Sequence, residues 1–266
     1  MKYACGDLMG NNDELIETLK RLLRYINAYK VLSEEELRLK IAEEVSRIEE
    51  GSRKEMEDKF GGSLEELIFE SITTHEKLSI FSPDLHVKIN YLGEIFYCPP
   101  SHTYMEAEIA DAYLRLVEMR IDFDRFRSVI IDFLQKAGYR TEVLDEKDRI
   151  LAEKEGFKTL NLHLLPTINI AGERLEELEG EGNVIVVPTE KTPWAFVNFI
   201  RRMDEYPIND TMIWVANIEK GTVDPLIGDT TDDKINSGFD NPRRARKAVQ
   251  IWRASLHGGM PFGGMS

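Results

Sequence analysis

The chain has 266 residues, 42% of them apolar and 9% aromatic, with 34 basic against 48 acidic side chains and a formal charge of −14. That is enough apolar material for one large core or two ordinary ones, and it excludes a disordered chain. The excess of acid argues against a sequence-independent coat on nucleic acid, which needs clustered Lys and Arg.

The N-terminal stretch reaches the polar Asn11, Asn12 and Asp13 without an apolar run, and no later stretch approaches a membrane span of about 18 apolar residues. Cys5 and Cys98 stand apart with no CxxC spacing, so neither a zinc knuckle nor a disulfide framework is supported. The expectation is a cytoplasmic protein with no membrane contact.

Residues 13–30 place Leu15, Leu19, Leu22, Leu23 and Ile26 at helical spacing, and Ser33 with Glu36 forms a capping box opening a second helix through about Glu50. Gly51 and Ser52 are expected to break it, Gly61 and Gly62 the next stretch, and Ser63 to start a helix with Leu64, Leu67, Ile68 and Ile72 on one side. From Lys77 to Cys98 short β-rich pieces predict two or three strands, followed by a helix over about Met105 to Arg120.

A boundary is placed before Ile121, dividing a mainly helical α+β N-terminal region (1–120) from a C-terminal α/β domain (121–266). The first carries 15 basic and 24 acidic residues, the second 19 and 24. The second reads as a helix from Asp122 to Ala137, then strands near Tyr139–Leu144, Arg149–Glu153 and Lys158–Leu165, and a Glu-rich helix to about Glu179. Strand Asn183–Pro188, helix Pro193–Glu205, strands Thr211–Asn217 and Thr222–Ile227, and a helix opened by Asn241-Pro242 complete it. Near-continuous apolar strands between amphipathic helices predict a mixed sheet covered on both faces.

Residues 122–166 carry a helix ending in Leu134-x-x-x-Gly138-Tyr139, a hairpin ILAEKEGFK and a third strand, and NVIVVPTEKTPWAFVNFI supplies a later strand and helix. Over about 105 residues this resembles the core of Mrr-type restriction endonucleases of the PD-(D/E)xK superfamily. The resemblance implies a restriction-endonuclease-like fold in which acidic side chains hold Mg²⁺ and a lysine supports the attacking water. The positions that should carry Gln or Glu, an apolar residue and Lys hold Asn161, Leu162 and His163, and the expected Asp falls near Arg149. Asp148 lies next door, facing the other side of a regular strand. The resemblance therefore implies a degenerate active site, with Asp148, Glu153, Asn161 and His163 as vestigial or rearranged candidates and Mg²⁺ as cofactor only if the rearranged site works.

Other polar groups have plain readings beside the chemical ones. Ser82-Pro83-Asp84 with Lys88, Glu106 and Glu108 imitates a nuclease motif but reads as a turn and a solvated helix face. His75, His86, His102 and Cys98 match no familiar zinc-ligand spacing. Asp224, Asp229, Asp232 and Asp233 form an acidic loop, of which Asp229, Asp232 and Asp233 are the metal candidates, although the calcium-loop pattern is missing. The last helix carries Arg243, Arg244, Arg246, Lys247 and Arg253 beside an apolar stripe of Ala245, Ala248, Val249, Trp252 and Leu256. These cations are expected to face acids of the chain or solvent, or else phosphates or an acidic protein.

The leading expectation is a non-catalytic nuclease-fold protein that binds or scaffolds, with a protein partner and with nucleic acid as the alternative through the basic helix. Its rivals are a metal-dependent nuclease with a rearranged site, and a transcription-associated regulator whose N-terminal helices and strands form a winged-helix-like reader.

Overall fold

The computed structural model describes residues 7–74, 85–144, 148–178, 181–208 and 210–257. The chain forms two compact units, Met1–Met119 and Arg120–Ser266.

The first unit opens with α1 (Asp7–Tyr29), the two-residue strand β1 (Leu32–Ser33) and α2 (Glu34–Val45). Ser33 Oγ accepts the Glu36 amide at 3.0 Å, as the capping pattern requires, while the Glu36 carboxylate turns to Arg115 and Tyr25 instead of closing the box. Then come α3 (Glu50–Phe60), α4 (Leu64–Thr73), the hairpin β2 (Val87–Tyr91) and β3 (Glu94–Cys98), and α5 (Glu106–Arg120). The expected break at Gly51 and Ser52 is misplaced: both sit in the first turn of α3, and the chain leaves α2 at Ser46. In a first turn the amides lack intrahelical partners, so Gly and Ser weaken little there. Gly61 does end α3, at φ 73°.

Leu92 and Gly93, at φ 51° and 82°, turn the hairpin, and β3 pairs with both β2 and β1 in the order β1-β3-β2. Leu22, Ile26, Leu37, Ile41, Ile68 and Leu85 build this unit's core. The pieces expected within 75–84, with Ser82, Pro83, Asp84 and His75, lie outside the described residues.

The second unit begins with α6 (Phe123–Lys136), capped by Asp122 Oδ1, which accepts the Arg125 amide at 3.0 Å. At its other end the Gly138 amide donates to Gln135 O (2.9 Å) and the Tyr139 amide to Leu134 O (3.0 Å), a Schellman cap with Gly138 at φ 89°. The sheet follows in sequence order: β4 (Arg140–Val143), β5 (Arg149–Glu153), β6 (Leu160–Leu164), β7 (Asn183–Pro188), β8 (Met212–Asn217) and β9 (Thr222–Ile227). β6, β7 and β8 run parallel, and the other pairings are antiparallel. Crossovers pass through α7 (Ala171–Glu177) and α8 (Trp194–Arg202), and α9 (Asp233–Gly238) and α10 (Pro242–His257) close the unit.

Alternation splits the sheet into two buried faces. Ile150, Ala152, Leu162, Val184, Val186 and Trp214 share one core with Phe126, Ile130 and Leu134 of α6. On the opposite face Ile185, Val187 and Ile213 are fully buried. The predicted helix thus packs on a mixed sheet built from the six predicted strands, and α9 is an element the sequence periodicity does not announce.

Candidate functional site

On the sheet face away from α6, β5 presents Arg149 and β6 presents Asn161 and His163. Arg149 is register partner of His163, Leu151 of Asn161, and Asn161 of Asn183 on β7. Asn161 Nδ2 donates to Asn183 Oδ1 at 3.5 Å, while Asn161 Oδ1 is buried without a hydrogen bond among the described residues. His163 is 3% exposed and Asn183 also 3%. Two neutral amides, an imidazole and a guanidinium therefore occupy the strip. They do not fit a divalent cation, which seeks carboxylate oxygens and is repelled by Arg149.

The acids that could have rebuilt a metal site are elsewhere. Asp148 stands in the turn before β5, its carbonyl accepting the Leu164 amide at 2.7 Å. Its side chain lines an open depression of about 540 Å³ at the start of α6, with Asp122, Asp124 and Arg127. Glu153 is exposed at the far end of β5, opposite Arg140 and four residues, or about 13 Å, along the strand from Arg149. Asp148, Glu153 and His163 are not brought together, which corrects the rearranged grouping. Among the described residues no group of three or more His, Cys, Asp or Glu side chains could hold a metal ion, and this includes His86, His102 and Cys98.

The acidic loop resolves into separate structural tasks. Asp232 is 1% exposed and caps α9 by accepting the Lys234 amide at 2.8 Å. Its carboxylate also accepts from the Lys154 ammonium and the Tyr139 hydroxyl. Burial works to raise its pKa, but the hydrogen bonds from Lys154, Lys234 and Tyr139 outweigh it and hold the carboxyl below the usual range. The Lys154 ammonium, 4.2 Å from the Phe157 ring centre and 5.2 Å from that of Tyr139, is thus the cation this loop binds. Asp229 pairs with Arg246, Asp233 is exposed in the first turn of α9, and Asp224 accepts the Asn241 amide at 2.5 Å. Asp229, Asp232 and Asp233 are corrected accordingly: each is separately engaged or exposed, and no shared oxygen cage forms. The Lys154–Asp232 pair spans 78 residues, and only the Asp cap before a helix could have hinted at it.

Against this geometry the comparisons can be set. Residues 166–241 match the C-terminal domain of DUF6834, a domain of unknown function. No curated protein matches the chain. The matched stretch starts just after β6 and ends at the threshold of α10, so Asn183 falls within it, while Arg149, Asn161, His163 and the basic helix do not.

That helix, α10, lies against β9 and α8, burying Val249 and setting Trp252 beside Phe196 at 6.4 Å. Arg243, Arg244, Arg246, Lys247 and Arg253 are all exposed. Arg246 pairs with Asp229, and Arg253 approaches Asp204 at 3.8 Å. The expected pairing with acids of the chain therefore covers part of the set. Among the described residues no helix is long and apolar enough to cross a membrane.

Proposed function

We propose that the second unit is a restriction-endonuclease-like domain whose active site has degenerated, and that the protein works as a binding or scaffolding module, not as a nuclease. The order α6-β4-β5-β6-α7-β7 supports the resemblance, since it follows the helix, three strands, helix and strand that the sequence motifs imply. The observation that carries the reading is the register pair Arg149 and His163 with Asn161 beside it: cation, imidazole and amide where phosphodiester hydrolysis would need acids and a lysine. Purified protein with Mg²⁺ or Mn²⁺ is expected to leave double-stranded DNA and RNA uncut. Cleavage that vanishes in Asp148→Ala or Glu153→Ala would reverse the proposal in favour of a rearranged metal-dependent nuclease.

A second reading has one observation behind it. Helices followed by a hairpin, with β3 also paired to a strand between the first two helices, suit a winged-helix-like reader and hence a transcription-associated regulator. Its charges suit a protein partner better than DNA: α4 carries Glu65, Glu66 and Glu70 and no basic residue. Titration of the full chain with duplex DNA is expected to show no binding that Glu66→Lys, Glu70→Lys would not improve. Tight binding by the unaltered protein would favour a DNA reader.

A further inference from the structure

The outward face of α10 is built against its own helix dipole. Arg243, Arg244, Arg246 and Lys247 occupy the first six residues, where the dipole is positive, and the first turn carries no acid. Asp224, accepting the Asn241 amide, brings the one carboxylate that β9 sets against this end of the helix. Arg246 is matched by Asp229, whereas Arg243, Arg244 and Lys247 form no ion pair among the described residues. Helical periodicity then separates two stripes. With Val249, Ala245 and Trp252 turned to the domain, Arg244, Lys247 and Ile251 fall at i, i+3 and i+7 on an outward face. Ile251 is 50% exposed, whereas Val249 is buried and Trp252 is partly buried.

We propose that this stripe docks an acidic amphipathic segment of a partner protein, with carboxylates on Arg244 and Lys247 and an apolar side chain on Ile251. Charge complementarity selects an anionic occupant, and the exposed Ile251, two turns from Arg244, selects against a sugar-phosphate backbone, which has no apolar group to set on it. The inference deepens the binding-module reading by naming its surface, and the two fail separately: nuclease activity would sink the module, while the titration below bears on α10 alone.

The probe is a 16-residue fluorescent peptide with Glu at positions facing Arg244 and Lys247 and Leu one to two turns on, titrated with the full chain at low and moderate salt. Binding is expected to weaken several-fold between about 50 and 200 mM salt. It should fall about tenfold in Arg244→Glu, Lys247→Glu, and by several-fold in Ile251→Ser. Those acids suit a helix N-terminus, so circular dichroism and melting temperature should hold, separating a docking role from a structural one. Three results would overturn the proposal: no peptide binding, peptide binding indifferent to these variants, or variant-sensitive binding of a 20-mer DNA or RNA in its place. Sedimentation showing self-association lost in the same variants would also overturn it, by making a second copy the occupant.

Discussion

Glu44 offers the sharpest test of how the first unit is held together. Its side chain is 2% exposed, yet three cations converge on it: Arg21 Nε of α1 at 2.5 Å, Lys40 Nζ at 3.1 Å and Arg47 Nη1 at 3.2 Å. Burial alone would raise its pKa, but hydrogen bonds from Arg21 and Lys40 outweigh burial and hold the carboxyl below its ordinary value. Glu44→Ala removes the acceptor and leaves cations that are 32%, 20% and 49% exposed and can turn to water. The cost should therefore lie near the low end for opening a buried pair, about 3 kcal/mol. For a unit of 119 residues, unfolding entropy near 0.25 kcal/mol/K converts this into a fall of roughly 12 °C in melting temperature. Because the folded pKa is depressed, the contribution is present above about pH 4.3 and is lost as pH falls through the folded value. The stability of the unaltered protein between about pH 5 and 3 should fall more steeply than that of Glu44→Ala. Calorimetry on the full chain decides it: a loss below about 1 kcal/mol with parallel pH profiles would mean an ordinary exposed network.

Other outcomes follow from single groups. Burial, with a smaller push from Glu108, raises the Cys98 thiol to about 11, so in a Cys5→Ser background alkylation by iodoacetamide at pH 8 should be slow until denaturant is added; rapid reaction of the native protein would contradict the buried placement. Asp232→Ala should cost about 3–4 kcal/mol, joining the loss of the α9 cap to a Lys154 left 13% exposed without its carboxylate, as read by urea unfolding. In the unaltered protein the depressed pKa of Asp232 means that its contribution too is lost on acidification, and a neutral effect of the Ala variant would refute the pairing.

What the sequence made legible depended on the kind of signal. The strands Asn183–Pro188 and Thr222–Ile227 are legible because turn residues flank short runs rich in β-branched side chains, and Arg149–Glu153 through its alternation of buried Ile150 and Ala152 with more exposed neighbours. The helix before them was legible through Phe126, Ile130, Phe133 and Leu134. β1 has two residues and no period to detect, and α9 has six residues announced only by Asp232. Leu134, Gly138 and Tyr139, one basis of the family resemblance, form a Schellman cap that helices of many folds share, so their spacing describes a helix end before it describes a lineage. Site chemistry was the least legible. Lys154 and Asp232 meet only through the fold, whereas the parity that sets Asp148 apart from His163 is readable once β5 is started at Arg149.

The strip is buried at His163, which gives the non-catalytic reading a test independent of residue identity. A phosphodiester would have to reach positions 161 and 163, and although Asn161 is partly exposed, His163 is 3% exposed and Asn183, beside Asn161, is 3% exposed. Degeneration by substitution alone would leave an accessible site that the missing residues could restore; degeneration with closure would not. Asn161→Glu, His163→Lys sets on β6 the acid and lysine that the proposed resemblance calls for. In a closed strip the lysine would be buried with the Arg149 guanidinium on the neighbouring strand, two like charges for one new carboxylate, and the variant should lose about 3 kcal/mol or more. Adding Arg149→Asp removes the repulsion and should recover part of that stability. DNA should still remain uncut with Mg²⁺, because burial at position 163 keeps the new lysine from the substrate. Melting temperature and a plasmid-cleavage assay on the double and triple variants read both quantities. A stable triple variant that cleaves would show that residue identity, and not access, is all that separates this domain from a nuclease.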